Sequence, residues 1–375
     1  MIDFSAMVSA VKPRERTDQY LVLAALFVLG AHERTVSAKE VTNLLKLHLR
    51  AKAPANVPDC LRKYTAYVSL RGQGPPLQWS LTEKGVEHLR LASGLTLSTI
   101  SGIDSFKSDV GIVCALQYPE LEAVIRASGG HDSWRIVGDA RLTHVYRETE
   151  VATVENKRLR IVATLSTSMG LTAAAIATTQ LVYQFRPRLI AMIGIAAGTR
   201  SGNKQFGDVL VADPSIDYNS GKVITQVGIR EFQPDPYPIG LNPRLRSLLQ
   251  KYRGNHHPVF DEIRKRWNGP KPSVPNSLHV GPVGAADQVI DDASRIIEIQ
   301  KNWRKLIGVE METYGVYRAV LESPEPKPKS VSFKAVCDFA AEKSDSWQEY
   351  AAFVAAEFAL EFIKREWGSL WSATS

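Results

Sequence analysis

The segment GVEMETYGV (residues 308–316) contains two glutamates, Glu310 and Glu312, in a stretch that otherwise has the composition of buried chain. Burying a carboxylate is costly unless something pairs with it. Side chains i and i+2 of a β-strand lie on one face, so the pattern predicts two carboxylates that point into one cavity or lie at a strand's carboxyl end, where α/β proteins bind ligands. Alternatively, one glutamate is exposed and the other pairs with a lysine.

The composition is that of an ordinary soluble protein, with 375 residues, 44% hydrophobic and 23% charged, which favours two or three domains. The longest apolar run, Leu21–Ala31, is too short to span a bilayer and lacks a cleavage site, so we expect a buried helix and a cytoplasmic protein. The cysteines Cys60, Cys114 and Cys337 are far apart and have no metal-ligand spacing, so neither a metal nor a cofactor is expected.

The positive charge is concentrated in the first quarter of the chain. Residues 1–94 contain 13 Lys and Arg against 8 Asp and Glu, a net charge of +5, and the rest of the chain carries only +2 of the total of +7. A basic first quarter indicates an acidic partner, either nucleic acid or protein, although a merely soluble basic face explains it as well.

The first ninety residues are predicted to be mostly helical. Ser37 and Glu40 have the spacing of a capping box at a helix start. The predicted order is a helix over Thr17–Leu29, helices over 35–49 and 56–68, a Gly/Pro turn over 71–76, and a short strand with a final helix over 77–89. This order, with the phrase WSLTEKGVEHL, resembles a winged helix-turn-helix over residues 17–92, a fold that binds DNA in some proteins and protein in others.

From Val110 onward, short apolar runs alternate with helical segments, which is typical of an α/β domain. The predicted strands cover 110–116, 159–165, 188–195, 207–213, 306–311 and 330–338. The predicted helices cover Glu120–Ala127, Leu171–Phe185, Ala293–Trp303, Tyr314–Leu321 and Trp347–Trp367, and Pro-rich surface loops are expected over 254–276 and 323–330. We therefore predict an N-terminal domain over 1–94, a linker over 95–109 and an α/β domain over 110–367.

Small residues end the predicted strand in IGIAAGTRSGNKQFGDVLVAD (193–213). Gly194, Ala196, Ala197 and Gly198 would let a ligand approach the backbone, whereas the alternative is a plain tight turn. The spacing matches neither a P-loop nor GxGxxG.

Two further acidic residues lie at the ends of predicted strands. Asp338, in KAVCDFAAEKSDSW (334–347), is a candidate acid or a turn residue, and Trp347 either covers a pocket or belongs to the core. Glu120, in CALQYPELEAV (114–124), opens a helix, where the helix dipole favours an acid in any case.

The order of these four motifs resembles the nucleoside phosphorylase/nucleosidase superfamily over residues 109–366, with VEME the most diagnostic, and within it the methylthioadenosine/S-adenosylhomocysteine nucleosidases. The resemblance implies a three-layer α/β/α sandwich around a mixed, partly barrel-like sheet, assembled as a dimer or larger. It also implies cleavage of an N-glycosidic bond in a purine nucleoside or nucleotide, because carboxylates stabilise an oxocarbenium-like sugar while an acid neutralises the departing base.

The same resemblance implies the role of each residue. Glu312 would hold the ribose hydroxyls, with Met311 under the sugar and Glu310 near its edge. Asp338 would protonate purine N7, which requires a raised pKa. Glu120 would activate water, and the remaining assignments are Lys334 beside Glu120, Val289 and Ile290 at the base, and Trp347 over the site.

The chain departs from the family pattern in three places. QYPE has one extra residue before Glu120, Val289 replaces an aromatic that stacks on the base, and Cys337 replaces a serine. The phosphorylases of the superfamily carry arginines in the first loop and before the Gly-rich strand end, and neither is present here. Water is therefore the expected nucleophile, with phosphorolysis as the alternative.

The 5′ group of the substrate and the role of the first domain stay open. Arg200, Lys204 or Lys343 would supply cations for a 5′-phosphate, and Arg200 and Lys204 would equally serve a phosphate nucleophile. The pairing of domains is similar to that of bacterial immune effectors that destroy nucleotides on command. A DNA-binding regulator that senses a nucleoside and an inactive scaffold are the competing interpretations, which the retained Glu312 and Asp338 disfavour.

Overall fold

The computed structural model describes residues 4–9, 11, 16–31, 34–71, 77–93, 106–138, 141–200, 202–226, 229–254, 257–339 and 345–371. The chain forms two compact units, Met1–Ser105 and Phe106–Ser375. Along the described residues, the helices are too short or too polar to cross a membrane.

The first unit contains helices around a small antiparallel sheet. Its helices are α1 (Phe4–Ser9), α2 (Asp18–Val28), α3 (Ala38–Leu49), α4 (Val57–Lys63) and α5 (Glu83–Ser93). Its strands are β1 (Val36–Ser37), β2 (Val68–Arg71) and β3 (Gln78–Leu81), in the spatial order β1–β3–β2. The capping box at α3 is confirmed, since Ser37 Oγ accepts the Glu40 N–H and Glu40 accepts the Ser37 N–H.

The third predicted helix of this unit is shorter than expected. It ends at Lys63, because residues 68–71 pair with β3 as a strand. Residues 72–76 of the predicted turn lie outside the described residues. The identification of this unit as a winged helix stays a prediction.

The second unit is built on a mixed sheet, as predicted. Its strands are β4 (Ser108–Cys114), β5 (Arg135–Val137), β6 (Tyr146–Ala152), β7 (Arg158–Leu165), β8 (Pro187–Gly198), β9 (Val209–Asp217), β10 (Gly221–Gln226), β11 (Ile229–Pro234), β12 (Leu278–Ala285), β13 (Gly308–Glu310) and β14 (Lys329–Asp338). Its α-helices are α6 (Glu122–Ala127), α7 (Leu171–Phe185), α8 (Pro243–Gln250), α9 (Pro258–Lys265), α10 (Ala293–Asn302), α11 (Thr313–Leu321) and α12 (Gln348–Trp371), with a π-helical turn over Gln117–Leu121.

The main sheet has the order β13–β12–β9–β14–β8–β4–β7–β6–β5, and β13 pairs also with β8. This extra pairing closes β8, β14, β9, β12 and β13 into a ring, the barrel-like part of the sheet. Strands β4, β8 and β14 are parallel neighbours, so their carboxyl ends meet at one edge of the sheet. Most of these strands are buried on both faces, which explains their continuous apolar sequences.

Several elements of this unit were not predicted. The Pro-rich stretch 254–276 contains helix α9, which buries Val259, Phe260 and Ile263 and begins with Pro258 in its first turn. Strand β12 was missed because glycine and proline interrupt its apolar pattern, and β5, β6, β10, β11 and α8 were also missed. Residues 95–105 of the predicted linker lie outside the described residues, and β4 begins at Ser108.

Candidate active site

The two glutamates of VEME lie where β13 ends and α11 begins. Both are buried, with 7% of Glu310 and 4% of Glu312 exposed. Glu310 accepts the backbone N–H groups of Glu312 at 2.9 Å and Thr313 at 3.0 Å, and Glu312 accepts the N–H of Gly170 at 3.3 Å. The alternative in which one glutamate is exposed is therefore wrong. The part of that alternative in which a glutamate pairs with a lysine is present in the structure.

That lysine is Lys334, in the middle of strand β14 and only 2% exposed. Its Nζ lies 3.0 Å from Glu312 Oε2, 3.6 Å from Glu310 Oε2 and 3.8 Å from Glu120 Oε1. Burial by itself would lower the pKa of Lys334, but the three carboxylates outweigh burial and raise that pKa, so the ammonium stays charged. One cation thus faces three carboxyl groups, and we call these four side chains the Lys334 cluster.

Glu120 is held by the backbone of two strand ends. Its carboxylate accepts the N–H groups of Ala115 at 2.8 Å, Leu116 at 2.9 Å and Ile195 at 2.9 Å. A Cβ atom on Gly194 would lie 2.0 Å from Glu120 Oε1, so any other residue there would displace the Glu120 carboxylate. The sequence predicts that this glycine admits a ligand, but in the structure the Glu120 carboxylate occupies that space.

Burial is the main reason that two of these carboxyl groups hold protons more tightly than usual. It raises the pKa of Glu310 to about 7, with Lys334 opposing the rise and Glu312 adding to it. Burial also raises the pKa of Glu120, again opposed by Lys334 and helped by Glu312. The Lys334 cluster therefore has a proton to exchange near neutral pH.

Asp338 is the last residue of β14, half-buried and beside a buried thiol. Cys337 Sγ donates to Asp338 Oδ2 at 3.4 Å. Burial, and after it the Asp338 carboxylate, raises the pKa of the Cys337 thiol far above its usual range. The thiol therefore stays protonated and acts as a donor that orients the Asp338 carboxyl group.

These groups meet at a cavity of about 250 Å³ at the carboxyl ends of β4, β8 and β14. The structure brings nine predicted residues to its wall, namely Glu120, Ala196, Ala197, Val289, Ile290, Glu310, Met311, Glu312 and Asp338. The wall also contains residues that were not predicted for the site, namely Ala115, Leu116, Met169, Ile195, Gln288, Val309, Cys337 and Gln348. Most of these residues are sequence neighbours of predicted ones. Their position next to a predicted site residue was therefore the signal that could have identified them.

Other predicted residues do not line the cavity. Lys334 lies behind the carboxylates, and a Cβ on Gly198 would meet Val336 instead. Trp347 stacks on Phe206 with ring centroids 4.8 Å apart, while its neighbour Gln348 reaches the wall.

The predicted phosphate contacts are also directed elsewhere. The Arg200 guanidinium lies over the ring of Phe339 at 5.3 Å, and Lys204 Nζ donates to Thr199 Oγ1 at 3.2 Å. Lys343 lies outside the described residues. In the part of the wall that the structure describes, every charged side chain is a carboxyl group.

Asp287 supports the site from outside the wall and was missed by the sequence analysis. Its Oδ1 accepts the N–H of Leu171 at 2.5 Å, next to the Gly170 N–H that Glu312 accepts. The start of α7 is therefore fixed by two carboxylates, and Met169 is held at the cavity. Chemically, the arrangement suits a reaction in which positive charge develops on carbon near the Lys334 cluster while Asp338 donates a proton.

The family profile of the Phosphorylase superfamily matches residues 109–359. The uncharacterized protein y4jS of Sinorhizobium fredii is 30% identical over 258 residues, which cover 68% of this chain and 61% of y4jS. The ATP nucleosidase Cap17 of Escherichia coli is 24% identical over 219 residues, which cover 55% of this chain and 42% of Cap17. The chain thus spans less than two thirds of the length of these curated relatives.

A smaller relative matches over most of its length. The 5′-methylthioadenosine/S-adenosylhomocysteine nucleosidase of Haemophilus influenzae is 26% identical over 200 residues, 49% of this chain and 78% of the relative. The crystal structure of the Helicobacter pylori enzyme of that name superposes with a TM-score of 0.51 at 17% identity, covering 69% of this chain and 99% of that one. At that identity the likeness concerns the fold.

Proposed function

Because this chain belongs to the phosphorylase superfamily, we propose that its second unit hydrolyses the N-glycosidic bond of a purine nucleoside. The observation that carries the proposal is the Lys334 cluster at the cavity wall, with Asp338 on the neighbouring strand end. Relatives whose names include nucleosidase support the same reaction class.

In the proposed reaction, the C1′–N9 bond breaks and its electron pair passes to the base. Asp338 protonates N7, so the base leaves neutral, and Cys337 holds the carboxyl group in position. The ribose carries the positive charge, which Glu312 and Glu310 stabilise at the hydroxyl-bearing face. A water molecule adds to C1′ and gives its proton to Glu120, whose pKa burial raises, so that it is a stronger base than an exposed glutamate. The products are free base and a sugar with a 1-hydroxyl group.

Water suits this cavity better than phosphate does. Three buried carboxyl groups surround the position where the nucleophile would enter, and Lys334 is already shared among them. A phosphate dianion brought next to this cluster would meet repulsion that the described wall offers no cation to offset.

The character of the wall also bears on the 5′ group. With carboxyl groups as the only charges of the described wall, an uncharged 5′ substituent is favoured, as in methylthioadenosine. A nucleotide is the second candidate, because relatives named ATP nucleosidase match 24% to 27% of aligned residues. It would need cations from outside the described wall, or a movement of Arg200 and Lys204.

For the first unit we propose a regulatory or partner-binding module of the winged-helix type. Support comes from the net charge of +5 on residues 1–94 and from the order helix, strand, two helices and two strands over α2 to β3. With a homo-oligomeric second unit, this module would make the protein a switchable nucleotide- or nucleoside-depleting effector, as in antiviral defence. Tight, salt-dependent binding of duplex DNA by the first unit would instead favour the regulator hypothesis.

The test measures release of free base, which chromatography detects. Adenosine, methylthioadenosine, AMP, ATP, guanosine and inosine would each be incubated with the protein, with and without phosphate. We expect base release without phosphate, and at least a ~10²-fold loss in Asp338→Asn, since general acid catalysis contributes this much. Strict dependence on phosphate, or an undiminished Asp338→Asn variant, would contradict the proposal.

A further inference from the structure

A second group of charged side chains lies at the opposite edge of the sheet from the cavity. Strands β4, β8 and β14 run parallel, with Ser108 opposite Pro187 and Lys329 opposite Leu189. Their amino ends carry Phe106, Arg188 and Lys329, and the last turns of α12 add Trp367 and Trp371. We call these five residues the basic-aromatic cluster.

The two cations of the cluster share one indole ring. Arg188 Cζ lies 4.2 Å from the Trp371 ring centroid, and Lys329 Nζ lies 4.3 Å from the same centroid. Arg188 is also 5.8 Å from Trp367 and 6.0 Å from Phe106. Cation–π contacts stabilise each cation, but they do not cancel the repulsion between two positive charges held at one ring.

Several donors of this cluster, and one of Arg186, two residues before Arg188, have no acceptor among the described residues. The Nε atoms of Arg186 and Arg188 and the Nε1 atoms of Trp367 and Trp371 are buried and make no hydrogen bond. Arg186, 6% exposed, uses Nη2 on the carbonyl oxygen of Glu325. Among the described residues, none of the ion pairs links a carboxylate to Arg186, Arg188 or Lys329. Burial, and then Arg188, lowers the pKa of Lys329.

We propose that the basic-aromatic cluster binds a phosphate group, supplied either by inorganic phosphate or by a phosphate ester. A phosphate dianion has several acceptor oxygens and suits the fork of Arg188 together with the ammonium of Lys329. Arg188 and Lys329 are each partly exposed as whole residues, although Arg188 Nε is buried, so both side chains keep some contact with solvent. The site is separate from the cavity, because the two occupy opposite ends of the same strands.

Calorimetric unfolding of the full chain tests this site directly. Inorganic phosphate would be titrated against sodium chloride at matched ionic strength, for wild type, Arg188→Met, Lys329→Met and the control Lys222→Met. Lys222 is an exposed lysine on β10 and lies outside the cluster. At phosphate about ten times its dissociation constant, binding raises the unfolding temperature of a unit of this size by about 3 °C.

We expect a saturable rise of that size in wild type and Lys222→Met, and binding at least ~10-fold weaker in each cluster variant. Lys329→Arg keeps the charge and should retain the rise in unfolding temperature. If Arg188→Met does not fold, the contrast between Lys329→Met, which should lose the rise, and Lys329→Arg, which should keep it, tests the proposal. Equal phosphate effects in wild type and the cluster variants, or none beyond chloride in wild type, would overturn the proposal. Repeating the titration with methyl phosphate distinguishes inorganic phosphate from a phosphate ester as the source of the group. If methyl phosphate binds as tightly as inorganic phosphate, the site accepts a phosphate ester.

Discussion

Replacing Lys334 by methionine removes the single cation from among three buried carboxyl groups. Methionine keeps most of the side-chain volume, so the change acts mainly through charge. The ammonium lies 3.0, 3.6 and 3.8 Å from the three carboxylates. At an effective dielectric constant near 20, each such contact is worth about 4 kcal/mol before desolvation and mutual carboxylate repulsion are subtracted.

Breaking a buried ion pair typically costs about 3–5 kcal/mol, and we expect a loss of that size for Lys334→Met. Part of the loss comes from Glu310, because without Lys334 its pKa rises further and the group must either repel its neighbours or take up a proton at pH 7. Adding Glu310→Gln to Lys334→Met should therefore recover about 1–3 kcal/mol, the range of coupling between contacting residues. Glutamine can still accept the backbone N–H groups that Glu310 accepts now.

Urea unfolding at pH 7, followed by tryptophan fluorescence, measures these changes, because six of the seven tryptophans lie in the second unit. Lys251→Met is the matched control. Lys251 pairs with the buried Glu366 at 2.7 Å, but the lysine side chain is 54% exposed and Tyr252 also donates to Glu366, so its loss should cost less than the loss of Lys334. If Lys334→Met were as mild as Lys251→Met, or the double variant were less stable than the single one, the electrostatic account of the cluster would be refuted.

Three further changes probe the same site. The folded Glu310 keeps its proton up to about pH 7, whereas the unfolded chain loses it near pH 4.5. Between these values the free energy of unfolding of wild type should therefore fall by about 1.4 kcal/mol per pH unit relative to that of Glu310→Gln. If urea unfolding gave the same difference in stability between the two proteins at pH 5 and at pH 8, this prediction would be wrong. Gly194→Ala should displace the Glu120 carboxylate and lower kcat at least ~10²-fold, as a base within the site would require, and an unchanged kcat would show that Glu120 is not needed. Cys337→Ala should lower kcat by up to ~10-fold, while Cys337→Ser, which keeps a donor, restores it; an unchanged kcat in Cys337→Ala would remove the thiol from the mechanism.

Much of the sheet could be predicted because several of its strands are mostly apolar in sequence. Strands β4, β7, β8 and β14 are seven to twelve residues long and each contains a mostly apolar core, a pattern that predicts buried parallel strands. Strand β12 was missed because its apolar pattern contains Gly281 and Pro282. Helix α9 was missed because prolines surround a segment whose apolar face appears only at helical spacing.

The site was predictable residue by residue but not in its contacts. Glu310 and Glu312 both line one cavity, but the strand spacing is not the reason, because the strand ends at Glu310 and Glu312 precedes the first residue of α11. The approach of Glu120 to Lys334 depends on β8 lying between β4 and β14, and no local pattern encodes strand order. Trp347 illustrates the same limit, because its stacking partner, Phe206, is far away in sequence.

The central claim is that Asp338 protonates purine N7 as the glycosidic bond breaks. The most direct test uses the substrate from the panel that releases base fastest and its 7-deaza analogue, which has carbon in place of N7. Single-turnover base release would be measured for wild type and Asp338→Asn. We predict that the 7-deaza analogue binds wild type but releases base at least ~10²-fold more slowly, and that Asp338→Asn slows only the natural substrate by a comparable factor. Equal release of base from both compounds by wild type would contradict the claim.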